Sequence, residues 1–185
     1  LILPAYPQEI AQAILGEQGH RQDSGIWFIG HSPAEEVLAD CVKLAPREMW
    51  QAIQPHLSSR IQAQRFSVGF PRGVIERLSI SDEIMAWVAH DPQERAEILA
   101  LFTGRTMAAD DTLSSRILGQ YGDDEKVASA FFSAFMAGLR RGPASRHWEQ
   151  RAAELEAIAA RTSLPKLGRW ARESARDLRD MAERD

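Results

Sequence analysis

Five of the nine prolines stand where a helix can begin, and this feature constrains the fold more than any other in the sequence. Proline is tolerated in the first turn of a helix, where its missing N–H leaves no bond unmade, but it breaks a helix interior. Two of these prolines lie between a capping residue and a glutamate, in Ser32-Pro33-Ala34-Glu35 and Asp91-Pro92-Gln93-Glu94. The other three are Pro46, Pro143 and Pro165. The prolines therefore divide the chain into successive helices.

Apolar residues recur at helical spacing between these prolines. The pattern predicts paired helices over residues 33–44 with 46–57, 81–90 with 92–102, 111–121 with 124–137, and 145–161 with 165–183. Stretches with strand-like composition are limited to "IWFI", within an irregular connection over 16–30, and "RFSVGF", within residues 64–73. We interpret 64–73 as a connecting loop with a short extended piece. Two such pieces cannot form a substantial sheet, so we predict an all-α fold.

The predicted turns fall at irregular but similar intervals. They lie near Pro46, Pro92, Asp124 and Pro165, at spacings of 46, 32 and 41 residues. A period of this size is typical of stacked helical hairpins, because one pair cannot bury its apolar face alone. The sequence therefore predicts an α-solenoid or irregular helical array.

Several second helices resemble the inner helices of HEAT-type repeats. The segments are "DPQERAEILALF", "DDEKVASAFFSAFM" and "LPKLGRWARESARDLRDM", the last matching through Pro165, Leu167, Ala171, Ala175 and Leu178. Gly168 departs from the family pattern, and the pair near Pro46 matches poorly. Residues 142–185 also resemble C-terminal helical regions of large multidomain bacterial proteins, some associated with phage-defence ATPases. The resemblance implies one α-helical repeat domain over 1–185, with divergent hairpins in 1–64 and HEAT-like repeats in 74–185.

The two ends of the sequence bear on its context. It opens "LILPAYP" without an initiator Met and ends in a charged helical stretch, "DLRDMAERD". We therefore expect a piece of a longer chain. Low cysteine content and the lack of a signal peptide or membrane-spanning run favour a cytoplasmic location.

Ser32 is the residue that decides between an enzyme and a non-enzyme. Gly30-His31-Ser32 follows an apolar run, as the nucleophile of a serine hydrolase does in its strand-to-helix turn. The residue after that nucleophile donates a backbone N–H to the oxyanion, and Pro33 has none. Loss of one such donor costs about 3–4 kcal/mol of transition-state stabilisation. We interpret Ser32 as a helix N-cap and predict no enzymatic activity.

Other signatures of chemistry are weak. The five histidines have no metal-ligand spacing and Cys41 has no partner, so we expect no metal and no cofactor. Paired carboxylates lie at predicted helix starts, where the helix dipole accounts for them. At least four of the five tryptophans lie on apolar stripes and are expected in the core, while an exposed one would anchor an interface.

A basic patch around a Gly-Pro hinge is the candidate binding site. It contains Arg140, Arg141, Arg146, His147 and Trp148. Such a cluster can bind phosphate, RNA or an acidic protein surface. The alternative is a basic connector at a helix C-terminus, where cations are favoured.

Charge and architecture together favour a binding module. The formal net charge is -4, yet residues 140–185 carry 11 Lys/Arg against 8 Asp/Glu. We predict a non-catalytic protein–protein interaction or scaffold module within a larger bacterial assembly, whose partner is a protein or other domains of the same chain. The alternative is a nucleic-acid-binding module that uses the basic C-terminal region.

Overall fold

A computed structural model of the chain describes residues 40–69, 73–103, 107, 110–137 and 144–184. Within these residues the backbone forms helices joined by turns and contains no β-strand. The prediction of an all-α fold is therefore confirmed for the described part of the chain. Ser32, Pro33, "IWFI" and Pro143 lie outside the described residues.

The chain divides into two compact units between Phe102 and Thr103. We call the described residues before this boundary the N-terminal unit and those after it the C-terminal unit. The predicted single repeat domain, with its parts 1–64 and 74–185, stays a prediction.

The N-terminal unit begins with helical residues 40–44. It continues with helices α1 (Pro46–Ile53), α2 (Arg60–Gly69), α3 (Val74–Arg77), α4 (Ser81–His90) and α5 (Pro92–Thr103), the last ending one residue beyond the boundary. A 3₁₀ helix, Gln54–Leu57, follows α1. Each of these helices contributes completely or almost completely buried side chains to the core. Helix α2 contributes Ala63, and the other elements contribute Met49, Ile53, Leu57, Ile75, Ile84, Val88 and Leu99.

The C-terminal unit consists of four helices. These are α6 (Leu113–Tyr121), α7 (Glu125–Met136), α8 (Ala144–Arg161) and α9 (Pro165–Arg184). The most extensive helix–helix contact in the described chain joins α8 to α9. Leu155 of α8 and Ala171 and Leu178 of α9 are completely or almost completely buried. In addition, Trp170 Nε1 donates a hydrogen bond of 3.0 Å to the carbonyl oxygen of Ala128 in α7.

Helix boundaries follow the capping residues and prolines of the sequence. Helices α1, α5 and α9 begin at Pro46, Pro92 and Pro165. Asp124 caps α7 by accepting hydrogen bonds from the N–H groups of Lys126 and Val127. For α4 to α9, the observed bounds agree with the predicted ones within two residues at each end. No helix in the described part of the chain has the length and apolarity needed to cross a membrane.

The interpretation of residues 64–73 as a connecting loop is wrong over 64–69. Helix α2 runs through this stretch, and α3 follows at Val74. The Phe66 ring stacks on the His56 ring at a centroid distance of 4.5 Å and lies 6.0 Å from the Phe102 ring. Ala63 of the same helix is completely buried. These packing contacts outweigh the local preference of Phe, Val and Gly for other backbone conformations.

Candidate functional site

A groove of about 660 Å³ lies in the N-terminal unit. One wall comes from α1 and the 3₁₀ helix, with Gln51, Gln54 and Leu57. The other wall comes from the ends of α4 and α5 that meet at Asp91, with Trp87, Glu94 and Arg95. Volumes of this order are typical of sites that receive a ligand or a short segment of a partner.

Trp87 is held firmly at this groove by two neighbours. Its ring meets the Trp50 ring edge to face at a centroid distance of 5.4 Å. The guanidinium carbon of Arg95 lies 4.7 Å from the Trp87 ring centroid, and Arg95 Nη1 donates a hydrogen bond of 2.6 Å to the Trp87 carbonyl oxygen. Such a contact combines a cation–π attraction with a charge-assisted hydrogen bond. Trp87 therefore keeps one position while remaining half-buried rather than fully covered.

Polar side chains on both walls are available to a ligand. Within the residues that the structure describes, the side chains of Gln51, Gln54 and Glu94 form no hydrogen bond or ion pair. Asp91, by contrast, accepts a hydrogen bond of 3.2 Å from the Glu94 N–H through Oδ1 and so caps α5. Each Gln amide can donate and accept, and the Glu94 carboxylate can accept only. The groove thus offers hydrogen-bond donors and acceptors to a ligand, and binding to them does not require an existing side-chain hydrogen bond to break.

The charge of the lining is slightly negative. Asp91 and Glu94 carry carboxylates, and Arg95 supplies the single guanidinium among the lining residues. The Arg95 guanidinium is already engaged by the carbonyl and ring of Trp87. With two carboxylates against one guanidinium in the lining, a cation that enters the groove meets a more favourable potential than an anion.

The predicted basic patch lies only in part within the described residues. Arg140 and Arg141 are outside them, and Arg146, His147 and Trp148 lie in the first turns of α8. Arg146 is exposed, whereas His147 and Trp148 are half-buried. Residues two apart on a helix point about 200° away from each other, so Arg146 and Trp148 face different directions. The patch stays a prediction, with Arg146 as its accessible member.

The arginines of α9 are partly paired within the fold. Arg169 and Lys166 contact the Asp123 carboxylate at 2.9 and 3.1 Å, and Arg179 contacts Glu156 at 2.7 Å. The interleaved acids Glu173, Asp177 and Asp180 are exposed beside them. This face of α9 is therefore a mixture of paired and exposed charges, as is typical of a solvated helix surface.

The described ranges contain neither a candidate metal site nor an exposed cysteine. No group of three or more His, Cys, Asp or Glu side chains is placed to hold a metal ion in those ranges. Cys41 is buried, and burial, with a smaller contribution from the Asp40 charge, raises the pKa of its thiol. A thiol in such surroundings is unreactive.

The groove was not predicted from the sequence. In the sequence Trp87 lies on an apolar helical stripe, and no pattern indicates that part of its ring stays accessible. The sequence nevertheless contains an indication of the Trp87–Arg95 contact, because these two residues lie eight positions apart across the Asp91-Pro92 helix boundary. This spacing brings a side chain of α5 back to the last turn of α4.

Comparisons with known proteins do not assign the chain to a family. No family model, no curated protein sequence and no solved structure matches it. The likeness to HEAT-type repeats therefore rests on the segments quoted above.

Proposed function

We propose that this chain is a non-catalytic protein–protein interaction module that receives a segment of a partner protein in the groove at Trp87. The observation that supports the proposal is the position of Trp87 and Arg95. Tryptophan and arginine are the residue types most enriched among energetically important interface residues. Here Arg95 keeps the Trp87 ring in one place at 4.7 Å, so binding a partner does not require ordering that ring.

The wider architecture belongs to the same proposal. Stacked HEAT-like hairpins would present a curved surface, and a scaffold of this kind would act within a larger bacterial assembly. The groove would then be the specific contact on a broader surface. The basic patch, through Arg146, would add a peripheral contact to an acidic region of the partner.

Selection from a displayed library of random peptides tests the proposal. We expect the full chain to enrich peptides, and the Gln51→Ala/Gln54→Ala variant to lose most of that enrichment. Both glutamines have side chains without a described contact, so this variant should remain folded. Trp87→Ala provides a second groove variant, with its helix content checked by circular dichroism. The matched control is the triple variant Arg140→Glu, Arg141→Glu and Arg146→Glu, which should retain enrichment.

The outcomes separate the two sites. Loss of enrichment in the triple variant alone would place the contact at the basic patch and contradict the groove. Equal enrichment by wild type and both groove variants would also contradict it.

Nucleic-acid binding is the second candidate. It is favoured by Arg172 and Arg176, which are exposed one turn apart on α9 and form no described side-chain bond. Binding of a labelled single-stranded oligonucleotide should then fall steeply between about 50 and 200 mM salt, since counterions are released on binding. Absence of binding at the lower salt concentration would exclude this candidate.

A further inference from the structure

The groove contains features that specify what kind of segment it takes. We infer that its occupant is an extended peptide segment that carries a lysine or arginine beside an apolar residue. This inference rests on the proposed function, and it adds the chemistry of the partner.

The first feature is the pair of free amides. Gln51 and Gln54 lie three residues apart across the end of α1, so their side chains project from neighbouring positions on one helical surface. Each amide can accept from a peptide N–H and donate to a peptide carbonyl. Backbone groups that point the same way in an extended chain recur every second residue, roughly 6.6 Å apart. Two amides about 5–6 Å apart at their base can reach successive groups of this kind.

The second feature is the apolar surface beside the amides. Trp87, half-buried in the groove wall, supplies this surface, since the lining residues Leu57 and Ile98 are each only 1% exposed. An apolar side chain of the partner gains free energy by covering the remaining Trp87 surface. Because alternate side chains of an extended segment point in opposite directions, one residue in two can make this contact.

The third feature is the free carboxylate of Glu94. Glu94 is exposed and has no ion pair within the described residues, although the guanidinium of Arg95 lies in the same wall. Arg95 Nη1 donates to the Trp87 carbonyl oxygen, and its guanidinium carbon lies over one face of the Trp87 ring at 4.7 Å from the centroid. With Asp91 adding a second carboxylate, the groove favours a cationic side chain and disfavours an anionic one.

Three labelled decapeptides test this inference by fluorescence polarisation on the full chain. They alternate leucine with lysine, with glutamine or with glutamate. We expect the lysine peptide to bind about tenfold more tightly than the glutamate peptide at about 150 mM salt. Glu94→Gln should reduce this preference to about threefold, because the affinity for the lysine peptide should fall more than that for the glutamate peptide. Glu173→Gln, the same change of charge on α9, serves as the matched control and should preserve the preference.

The peptide assay distinguishes the selection of a cation from the binding of a peptide as such. Equal binding of all three peptides, or equal effects of Glu94→Gln and Glu173→Gln, would overturn the selection of a cation while leaving the groove as a peptide site. Failure of all three peptides to bind would overturn the inference. The library selection would still judge the proposed function separately, because it assumes no particular charge.

Discussion

In two pairs of consecutive helices, α4–α5 and α8–α9, the second helix begins at a proline, but the two pairs use their polar side chains differently. In α8–α9 the Trp170 indole donates to the Ala128 carbonyl, and Arg169 and Arg179 contact Asp123 and Glu156. In α4–α5 the Trp87 ring stays half-buried, and the Glu94 carboxylate has no described partner. The contrast lies in the tryptophans: Trp170 is buried and bonded within the fold, whereas Trp87 retains surface that a partner can use.

The sharpest test of this contrast compares the two tryptophans. Trp170→Ala should reduce the free energy of unfolding by about 3–5 kcal/mol, because it leaves a large cavity in the core. Trp87→Ala should reduce it by about 1–2 kcal/mol, since the ring is only partly removed from water. Urea denaturation followed by circular dichroism measures both values. Equal losses would show that Trp87 is an ordinary core residue.

Arg95 should have a moderate effect on stability and a larger one on binding. Arg95→Ala removes the hydrogen bond to the Trp87 carbonyl and the cation–π contact, which we expect to cost about 1–2 kcal/mol of unfolding free energy. Arg47→Ala, which removes an exposed ion pair with Glu83, is the control and should cost at most about 1 kcal/mol. In the library selection only Arg95→Ala should lower enrichment. Similar behaviour of the two variants would argue against a special role for Arg95.

Asp110 should make the turn between α8 and α9 sensitive to acid. Donation by the Thr162 hydroxyl, and then by the N–H and hydroxyl of Ser163, lowers the pKa of the Asp110 carboxyl below 3.8. A carboxyl whose pKa is lower in the folded state stabilises the fold above its unfolded pKa, and this contribution disappears as pH falls through the folded pKa. Asp110→Asn should therefore be less stable than wild type at neutral pH, with the difference shrinking in acid.

The control for Asp110 is its neighbour. Asp111 is exposed and has no described side-chain contact, so Asp111→Asn should change the melting temperature little at any pH. A difference between wild type and Asp110→Asn that stays constant from neutral to acidic pH would contradict the assignment.

The smallest effect is expected for the exposed ion pairs. Asp123→Asn removes the partner of both Lys166 and Arg169, yet these groups are all substantially exposed. We expect a loss of about 0–1 kcal/mol in unfolding free energy. Glu94→Gln should change the unfolding free energy even less, because no described group depends on it. A larger loss of unfolding free energy for Glu94→Gln than for Asp123→Asn would show that Glu94 serves the fold more than the paired Asp123 does, and would contradict this contrast.

Much of the fold could be predicted because local signals coincide with helix boundaries. Pro46, Pro92 and Pro165 begin helices, and Asp124 caps the helix that follows it. Helix α2 has a local start signal, since the Ser59 hydroxyl accepts from the Gln62 N–H, but its continuation through Phe66 is accompanied by ring contacts with His56 and Phe102. These residues are brought together by tertiary packing, on which local propensity gives no information.

The candidate site was harder to predict than the fold. Trp50, Trp87 and Trp170 all occupy apolar helical stripes, but Trp50 and Trp170 are 5% and 3% exposed while Trp87 is half-buried. Periodicity identifies the side of a helix that faces the core. It does not identify which residue of that side lies beside a gap between helices. The availability of Gln51, Gln54 and Glu94 depends on the same gap.

The burial of Cys41 provides a way to time the opening of the N-terminal unit. It is the one cysteine of the chain, and its side chain is 1% exposed. An alkylating reagent can reach the sulfur only when the surrounding helices separate. At high reagent concentration the labelling rate therefore equals the rate of the opening that exposes Cys41, and no second thiol of the chain contributes to the signal. Comparison with the unfolding rate of the whole chain would reveal whether its two halves come apart together or in sequence.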